Sequence, residues 1–403
     1  MLSLLEVPFL LLDALSVFAL FAILAWTLYH IPILLAGLTA KEERPQPPRS
    51  YPKLSVIIPV KDEGDRLRRL LEALFAADYP REKLEVIVVD GSGDGAGEAI
   101  ARELAASSPV PIKVLRELNP RGKPAALNAA LACAAGEVVA VFDADSVPER
   151  DALLRAVSRF SDPSVAAVQG STEALNSSES IVARVASKEE KAWFQVLLRG
   201  RRRLNLFTPL TGSCQFLRAD VLRALGGWPS RLAEDLELSL ELFKRGYRVE
   251  YAPDAVSRQE VPKTLRSLLV QRSRWYRGYM EAALKYSAQV LLKGRRGVDA
   301  AVLSSGPYLM ALCFLSVVAW LLSLIVPHQN SFSAPLTAVV ALNVASLLSV
   351  SLALSLSEKP FRFRNLAWIP FIYLYWFTLT AVSFFSLLEI LTARPRVWRR
   401  TPK

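Results

Sequence analysis

The 403-residue sequence has only three cysteines and two histidines. A fold held together by several disulfides and a zinc site built from cysteine and histidine are therefore excluded. Any metal would be bound mainly by carboxylates. Hydrophobic residues make up 52% of the chain, which excludes an intrinsically disordered protein. The chain also carries 49 Lys and Arg and 38 Asp and Glu, too many charges for a protein that is embedded in a membrane throughout. Apolar and charged residues must therefore lie in different parts of the chain.

Charged residues are absent from three long runs towards the C-terminus, at 301–326, 335–357 and 366–388. A helix needs roughly 20 apolar residues to cross the hydrocarbon core, so each run predicts a transmembrane helix. Buried core helices of a soluble domain are the alternative, but three such runs so close together favour a membrane. A fourth run, Val7–Leu38, has no basic residue before it and is too long for the apolar part of a signal peptide. It predicts a retained anchor.

Basic residues beside these runs predict the orientation in the membrane. Four of them directly follow the first run: Lys41, Arg44, Arg49 and Lys53. The positive-inside rule then places the next segment in the cytoplasm of a multi-pass cell-membrane protein. Three later crossings would put the basic C-terminal tail on the opposite side, so either one run does not span or one forms a re-entrant hairpin. The predicted units are a transmembrane helix (1–40), a cytoplasmic domain (41–300), about three transmembrane helices (301–392) and the tail (393–403).

The cytoplasmic segment has the pattern of an α/β fold. Predicted strands lie at 54–60, 84–89, 112–115 and 138–142, and predicted helices at 65–77, 95–106 and 123–134. Strands that alternate with helices of this length indicate βαβ units and a mostly parallel sheet. Ligands bind such sheets beyond the carboxyl ends of the strands. Acidic residues stand at those ends: Asp62 and Glu63, Asp90, and Asp143 and Asp145.

These acids differ in how strongly they indicate a site. Asp90 could belong to an ordinary turn, and the Asp62–Glu63 pair could cap the following helix. Asp143 and Asp145 are harder to explain structurally. Two carboxylates one residue apart after a buried strand can bind one Mg²⁺ or Mn²⁺, which the protein would share with substrate phosphates.

Four motifs occur in order along the segment: Asp90, Asp143-Ala-Asp145, Ala233-Glu234-Asp235 and Gln271-Arg-Ser-Arg274-Trp275. Together they resemble the membrane-embedded family 2 glycosyltransferases, the class that includes cellulose, hyaluronan and chitin synthases. The resemblance covers 41–300. It implies a GT-A-like, Rossmann-type mixed sheet that binds a nucleotide sugar, with amphipathic interfacial helices over about 180–200 and 262–292. In the second of these, Leu265, Leu268 and Leu269 would face lipid.

The resemblance also implies the roles of individual residues. Asp235 resembles the general base, with Glu234 beside it. The residues that resemble nucleotide-sugar contacts are Asp62, Glu63, Asp90, Lys123, Asp143, Gln271, Arg274 and Trp275. Asp143 and Asp145 resemble the metal ligands, and Thr211, Gly212, Ser213 and Trp275 resemble the acceptor site. The sequence departs from the family at Asp62, where Asn is usual, and at Thr211, where some members have Cys.

The implied chemistry suits these residue types. Sugar transfer requires neutralisation of the leaving diphosphate, which a metal with Lys123 and Arg274 would provide. It also requires removal of a proton from the acceptor hydroxyl, which Asp235 would perform. A single displacement of this kind inverts the anomeric centre. The resemblance therefore implies a metal-dependent inverting hexosyltransferase with a UDP-sugar donor, whereas a glycosidase would need two carboxylates flanking one bond.

The sequence leaves the acceptor open. The Q-x-x-R-W motif favours a processive synthase of a β-linked polysaccharide, and a glycolipid synthase similar to ceramide glucosyltransferases is the alternative. A transporter with a regulatory nucleotide-binding domain would show charged or broken spans and internal repeats. A catalytically dead scaffold would be expected to have lost the motif acids. The basic cluster Arg199–Arg203 is predicted to lie on anionic lipid headgroups rather than on nucleic acid.

Overall fold

The computed structural model describes residues 6–40, 50–323, 337–342, 344–345, 348 and 363–396. The predicted span at 335–357 lies mostly outside the described residues. Eight strands within them form one sheet of order β3-β2-β1-β4-β7-β6-β8-β5. The strands are β1 Leu54–Val60, β2 Leu84–Asp90, β3 Ile112–Arg116, β4 Val138–Val141, β5 Val147–Pro148, β6 Val165–Ala174, β7 Gln215–Arg218 and β8 Arg248–Gln259. The first four are parallel to one another, as predicted.

The other half of the sheet makes it mixed. Strand β7 is antiparallel to β4 and β6, β8 is parallel to β6, and β5 is antiparallel to β8. The sequence pattern did not predict these strands, because β7 has only four residues and β8 carries charged residues along its length.

Helices cover both faces of the sheet. The α-helices of the described residues are α1 Glu6–Leu38, α2 Gly64–Phe75, α3 Ala96–Ala105, α4 Lys123–Cys133, α5 Ala152–Val157, α6 Ile181–Ala192, α7 Arg199–Arg203, α8 Ala219–Ala224, α9 Glu234–Lys244, α10 Leu265–Leu291, α11 Gly294–Ser323 and α12 Ile369–Leu391. Short 3₁₀ turns lie at Arg81–Lys83, Ser158–Ser161 and Phe363–Trp368. Leucines of α2 pack on one face of the sheet and α4 packs on the other. Because both faces are covered, the central strands are almost continuously apolar.

The first interfacial helix is continuous. A π-helical turn, Trp193–Leu198, joins α6 to α7. This helix crosses α1 where two glycines meet: a Cβ on Gly200 would overlap the carbonyl oxygen of Ile33, and a Cβ on Gly37 would overlap that of Val196. Only glycine lets the two backbones approach this closely, as in the small-residue crossings of membrane helices.

The prediction that the basic cluster at the end of this helix lies on lipid headgroups was wrong for Arg201, and two further arginines have partners within the protein. Arg201 is buried against Asp299 of α11 (Nη1 to Oδ2, 2.7 Å). Arg202 binds Glu250 of β8, and Arg203 donates to Thr39 Oγ1 at 2.6 Å. These arginines therefore attach the helix to other parts of the protein. Their partners are distant in the sequence, so the local charge pattern could not reveal them.

The second interfacial segment is the single long helix α10. Thr264 caps it, with its hydroxyl accepting from the backbone N–H of Ser267. The lipid-facing prediction was wrong for Leu268, which is buried in a cluster with Ile372 and Leu379 of α12. Leu265 is exposed.

Three helices in the described residues are long and apolar enough to cross a membrane: Val17–Leu38, Gly294–Leu321 and Asn365–Leu391. The second begins before the predicted domain boundary at 300. The base of the tail lies against α10, because the Arg277 guanidinium donates to the carbonyl oxygens of Arg394 (2.5 Å) and Pro395 (3.2 Å). The tail therefore starts beside the α/β domain.

We expect Gly200→Ala to destabilise the protein, although alanine is normally better than glycine in a helix by about 1 kcal/mol. Overlap with the α1 backbone should cost about 1–3 kcal/mol. The measurement is the thermal unfolding midpoint of the detergent-solubilised protein. Gly93→Ala is the control, because a Cβ there meets nothing within 4 Å. An unchanged midpoint in Gly200→Ala would show that the crossing is not tight.

Candidate active site

The residues predicted to bind the nucleotide lie at the carboxyl ends of β1 and β2. Asp62 follows β1 in the left-handed region (φ 54°), and its backbone N–H donates to Ser92 Oγ at 2.7 Å. Glu63 stands directly before the first residue of α2. The turn after β2 is therefore joined to the turn after β1, and together they form one rim of the candidate site.

Asp90 lies beneath this rim and stabilises it through hydrogen bonds. Its side chain is fully buried and accepts three hydrogen bonds, from the backbone N–H groups of Ser92 (2.8 Å) and Glu98 (2.9 Å) and from Arg116 Nη1 (2.6 Å). Arg116 also donates to the Ser92 carbonyl oxygen. A carboxylate with these partners holds the turn and the first turn of α3 in place.

A cation that is only 13% exposed lies at the centre of the candidate site. Lys123, the first residue of α4, contacts Asp143 Oδ1 at 2.5 Å and donates to the carbonyl oxygen of Gly212 at 2.8 Å. A Cβ on Gly212 would lie 3.4 Å from Lys123 Nζ and 3.2 Å from Asp235 Oδ2. The structure thus brings together Lys123, Asp143, Gly212 and Asp235, which the sequence placed in four separate segments.

The predicted acceptor loop is held rigidly. Ser213 Oγ accepts from the backbone N–H of Asp143 at 3.1 Å. Buried Gln169 of β6 accepts from the Thr211 N–H (2.8 Å) and donates to the Ser213 carbonyl oxygen (3.0 Å). Thr211 Oγ1 is buried and has no hydrogen-bond partner among the described residues.

Two adjacent carboxyl groups start α9. Glu234 is buried, and burial, reinforced by Asp235, raises its pKa to about 7, while Lys123 and Arg274 act in the opposite direction. Burial also raises the pKa of Asp235, although its bond from the Leu236 N–H and the charges of Lys123 and Arg274 favour the ionised form. Burial lowers the pKa of Lys123, but the negative charges of Asp143, Glu234 and Asp235 have the larger combined effect. The pKa of Lys123 is therefore raised.

Helix α10 brings the Q-x-x-R-W residues to this cluster. A Cβ on Gly278 would lie 2.7 Å from Ala233 Cβ, so only glycine allows α10 to pack so closely against the residue before Glu234. Arg274 acts electrostatically on both carboxyl groups. Gln271 Oε1 is buried without a hydrogen-bond partner among the described residues, and Trp275 remains 36% exposed.

The donor set fits a hard divalent cation that is shared with a substrate. Within the residues that the structure describes, no three His, Cys, Asp or Glu side chains form a group that could hold a metal. The protein would thus supply two carboxylates, Asp143 and Asp145. Mg²⁺ and similar ions bind through one or two carboxylates together with water and substrate phosphates, so two ligands are sufficient.

Two residues of this region were missed from the sequence. Gln169 interrupts the apolar run Val165–Val168, and a lone amide within a buried strand is a signal of a specific hydrogen-bonding role. Arg116 ends β3 at the same edge as the motif acids, so a base following a predicted strand could have been paired with Asp90.

Comparison with known proteins identifies the class. Residues 52–278 match the profile described as "Glycosyltransferase like family 2". This match covers more than half of the chain, and the chain belongs to that family.

Relatives and one solved structure agree with this assignment. The probable glycosyltransferase YdaM of Bacillus subtilis is 31% identical over 253 residues, which is 62% of this chain and 60% of that protein. The β-monoglucosyldiacylglycerol synthase of Trichormus variabilis is 31% identical over 253 residues, 62% of this chain and 53% of the relative. The poly-β-1,6-N-acetyl-D-glucosamine synthase of Staphylococcus aureus is 28% identical over 235 residues, 58% of this chain and 56% of the relative. The chain thus spans little more than half the length of these relatives.

The mannosyltransferase PcManGT of Pyrobaculum calidifontis, solved with GDP-Man and Mn²⁺, has a TM-score of 0.69 and 24% identity, over 95% of this chain and 100% of that one. This similarity shows a shared fold. The predicted GT-A-like mixed sheet is confirmed.

The buried carboxyl of Glu234 predicts a pH-dependent stability. Its pKa is about 7 in the folded state against an ordinary 4.5, so the folded protein binds more protons between these values and loses stability as pH rises through them. We expect Glu234→Gln to reduce the fall in the free energy of unfolding over this pH range by on the order of 2 kcal/mol. The measurement is the thermal midpoint between pH 5 and 8, with the exposed Glu72→Gln as control. Parallel pH profiles for wild type and Glu234→Gln would contradict the assignment.

Proposed function

We propose that the chain is a metal-dependent, inverting glycosyltransferase of the D,D,D,Q-x-x-R-W type that transfers a sugar from a nucleotide sugar, with a UDP-sugar as donor. The observation that carries the proposal is the convergence of Lys123, Asp143, Gly212 and Asp235 in the candidate site. This convergence supports the proposal, because sugar transfer needs a cation for the leaving diphosphate close to a carboxylate that takes the acceptor proton.

The donor half of the site lies along the carboxyl edge of the sheet. The rim formed by Asp62 and Glu63, and held in place by buried Asp90, receives the nucleoside, and Lys123 with Arg274 receives the diphosphate. Asp143 and Asp145 would hold Mg²⁺ or Mn²⁺, which would neutralise charge on the leaving diphosphate. When the diphosphate binds, Lys123 exchanges part of its contact with Asp143 for phosphate oxygens, so the buried cation is never without an anion.

The acceptor half centres on Asp235. A carboxylate whose pKa is raised towards neutrality is a stronger base than an ordinary aspartate. Asp235 takes the proton of the acceptor hydroxyl while that oxygen attacks the anomeric carbon from the face opposite the diphosphate. Burial raises the pKa of the neighbouring Glu234 to about 7, so that this carboxyl carries a proton for part of the time near neutral pH. Thr211, Gly212, Ser213 and Trp275 bind the acceptor sugar, and Gln271 offers its buried amide oxygen.

The acceptor is a growing polysaccharide in the favoured version of this proposal, with processive transfer. A single addition to a lipid is the second candidate, since one relative is named as a glycolipid synthase and another as a polysaccharide synthase.

The apolar helices and the positions of Lys41, Arg44 and Arg49 support a multi-pass membrane protein with its catalytic domain in the cytoplasm.

The test incubates the purified full chain with radiolabelled UDP-glucose, UDP-N-acetylglucosamine or GDP-mannose and Mn²⁺, with and without diacylglycerol vesicles, and sizes the product. A ladder or high polymer supports the polysaccharide acceptor, and one solvent-extractable product supports the lipid. Absence of nucleoside diphosphate release and of product from every donor would overturn the proposed function.

Asp235→Asn should lower the transfer rate about 10²–10⁴-fold, the usual contribution of a general base, because the amide cannot accept the hydroxyl proton. Nucleoside diphosphate affinity, measured by isothermal titration calorimetry, should be retained. Asp220→Asn, an exposed carboxylate on α8, is the matched control. A variant at position 235 that transfers sugar like wild type would assign the base elsewhere.

Chelation of divalent metal by EDTA should abolish transfer, and Mn²⁺ or Mg²⁺ should restore it. In Asp145→Asn the metal concentration for half-maximal activity should rise at least about tenfold, since one of two protein ligands is lost. Asp151→Asn at the start of α5 serves as the control. Full activity in EDTA would contradict metal dependence.

A further inference from the structure

The second residue of the Q-R-S-R-W segment, Arg272, covers Trp275. The guanidinium carbon of Arg272 lies 4.3 Å from the centroid of the Trp275 ring, one turn along α10. Its side chain is only 11% exposed, and cation–π contacts strengthen when they are removed from water. One face of the indole is therefore in contact with a fixed cation, while the residue keeps part of its surface accessible to a ligand.

Two other helices hold Arg272 in this position. Its Nη2 donates to Glu189 Oε2 of α6 at 2.5 Å and to the Tyr375 hydroxyl of α12 at 3.2 Å. The Tyr375 hydroxyl in turn donates to the same Glu189 oxygen at 2.6 Å. Three side chains from three helices thus form a closed triangle. A long arginine side chain that would otherwise sample many rotamers is fixed by these bonds and by the ring.

The surroundings make the triangle sensitive to the position of α12. The Tyr375 ring packs in a buried apolar cluster with Val185 of α6 and Leu268 of α10. In such a low-dielectric environment a hydrogen bond to a charged group is strong and its loss is costly. A shift of α12 would therefore reach Arg272 directly, because the Tyr375 hydroxyl contacts the guanidinium without an intervening residue.

We infer that Tyr375 and Glu189 are positioning residues that set the orientation of the Trp275 indole through Arg272. The apolar helix α12, which no motif of the sequence connects with the candidate site, is thereby coupled to acceptor binding. The inference rests on the proposed function only in assigning Trp275 to the acceptor sugar. The physical coupling from Tyr375 to Trp275 stands on the contacts themselves.

The first test follows Trp275 without any substrate. The full chain in detergent is labelled with 5-fluorotryptophan, and the Trp275 resonance among the eight tryptophans is assigned by its loss in Trp275→Phe. Tyr375→Phe removes only the hydroxyl and Glu189→Gln removes the charge, and both should shift this ¹⁹F resonance. Tyr373→Phe on the same helix should not. A Trp275 resonance that stays in place in both variants would overturn the coupling.

The second test measures the consequence for acceptor use. With the donor that wild type uses, initial rates are measured against diacylglycerol in phosphatidylcholine vesicles or a short N-acetylglucosamine oligomer. Tyr375→Phe should raise the acceptor KM about fivefold, the equivalent of about one cation–π contact, with kcat and acceptor-independent hydrolysis of the donor little changed. A merely structural role would lower kcat and donor hydrolysis together and leave the acceptor KM unchanged, and that result would refute a positioning role.

The two tests separate the inference from the function on which it rests. If no nucleotide sugar is turned over by wild type, the proposed function fails, and the ¹⁹F shift still decides the coupling. If transfer occurs and the resonance shifts but the acceptor KM does not, Trp275 does not bind the acceptor and the inference fails.

Discussion

The arrangement of the candidate site depends on the contacts of one largely buried ammonium group, that of Lys123. Lys123 joins the end of β4 through Asp143 and the loop before β7 through Gly212, and its charge faces the two carboxyl groups at the start of α9. An unpaired charge at this position would cost several kcal/mol. In the folded protein three carboxyl groups and one carbonyl oxygen therefore lie around one cation. A bound diphosphate would interact with this same cation.

Helix α9 connects this arrangement with helices α10 and α11, because it is apolar on two faces. Leu238 and Leu242 pack against the sheet, whereas Leu236 and Leu240 pack in a cluster with residues of α10 and α11. Asp299 of α11 strengthens the same junction by binding Arg201 and accepting from the Phe207 N–H at 2.8 Å. The two carboxyl groups thus stand at the end of a helix that is clamped between the α/β domain and the apolar helices.

Local sequence patterns predicted the parallel half of the sheet to within one or two residues, because strands such as Leu54–Val60 are buried on both faces and read as unbroken apolar runs. The strands beyond β4 are short or bear charged residues, and their place is set by pairing across the sheet. For the site, acids at strand ends were predictable from topology. Arg116 with Asp90 and Arg201 with Asp299 were not, because their partners are distant in the chain and only packing brings them together.

The crossing of α1 with the interfacial helix has a mechanical consequence. At Gly37 and Gly200 the two backbones touch without side chains between them, so the helices cannot slide or rotate past each other as side-chain-separated helices can. A membrane helix adjusts to bilayer thickness mainly by tilting. Any tilt of α1 is therefore passed on to the helix that begins at Ile181, whose residue Glu190 accepts hydrogen bonds from Thr172 of β6 and Gln259 of β8. For an α1 that spans a membrane, as proposed above, the hydrophobic thickness of the bilayer would therefore influence the geometry of the α/β domain.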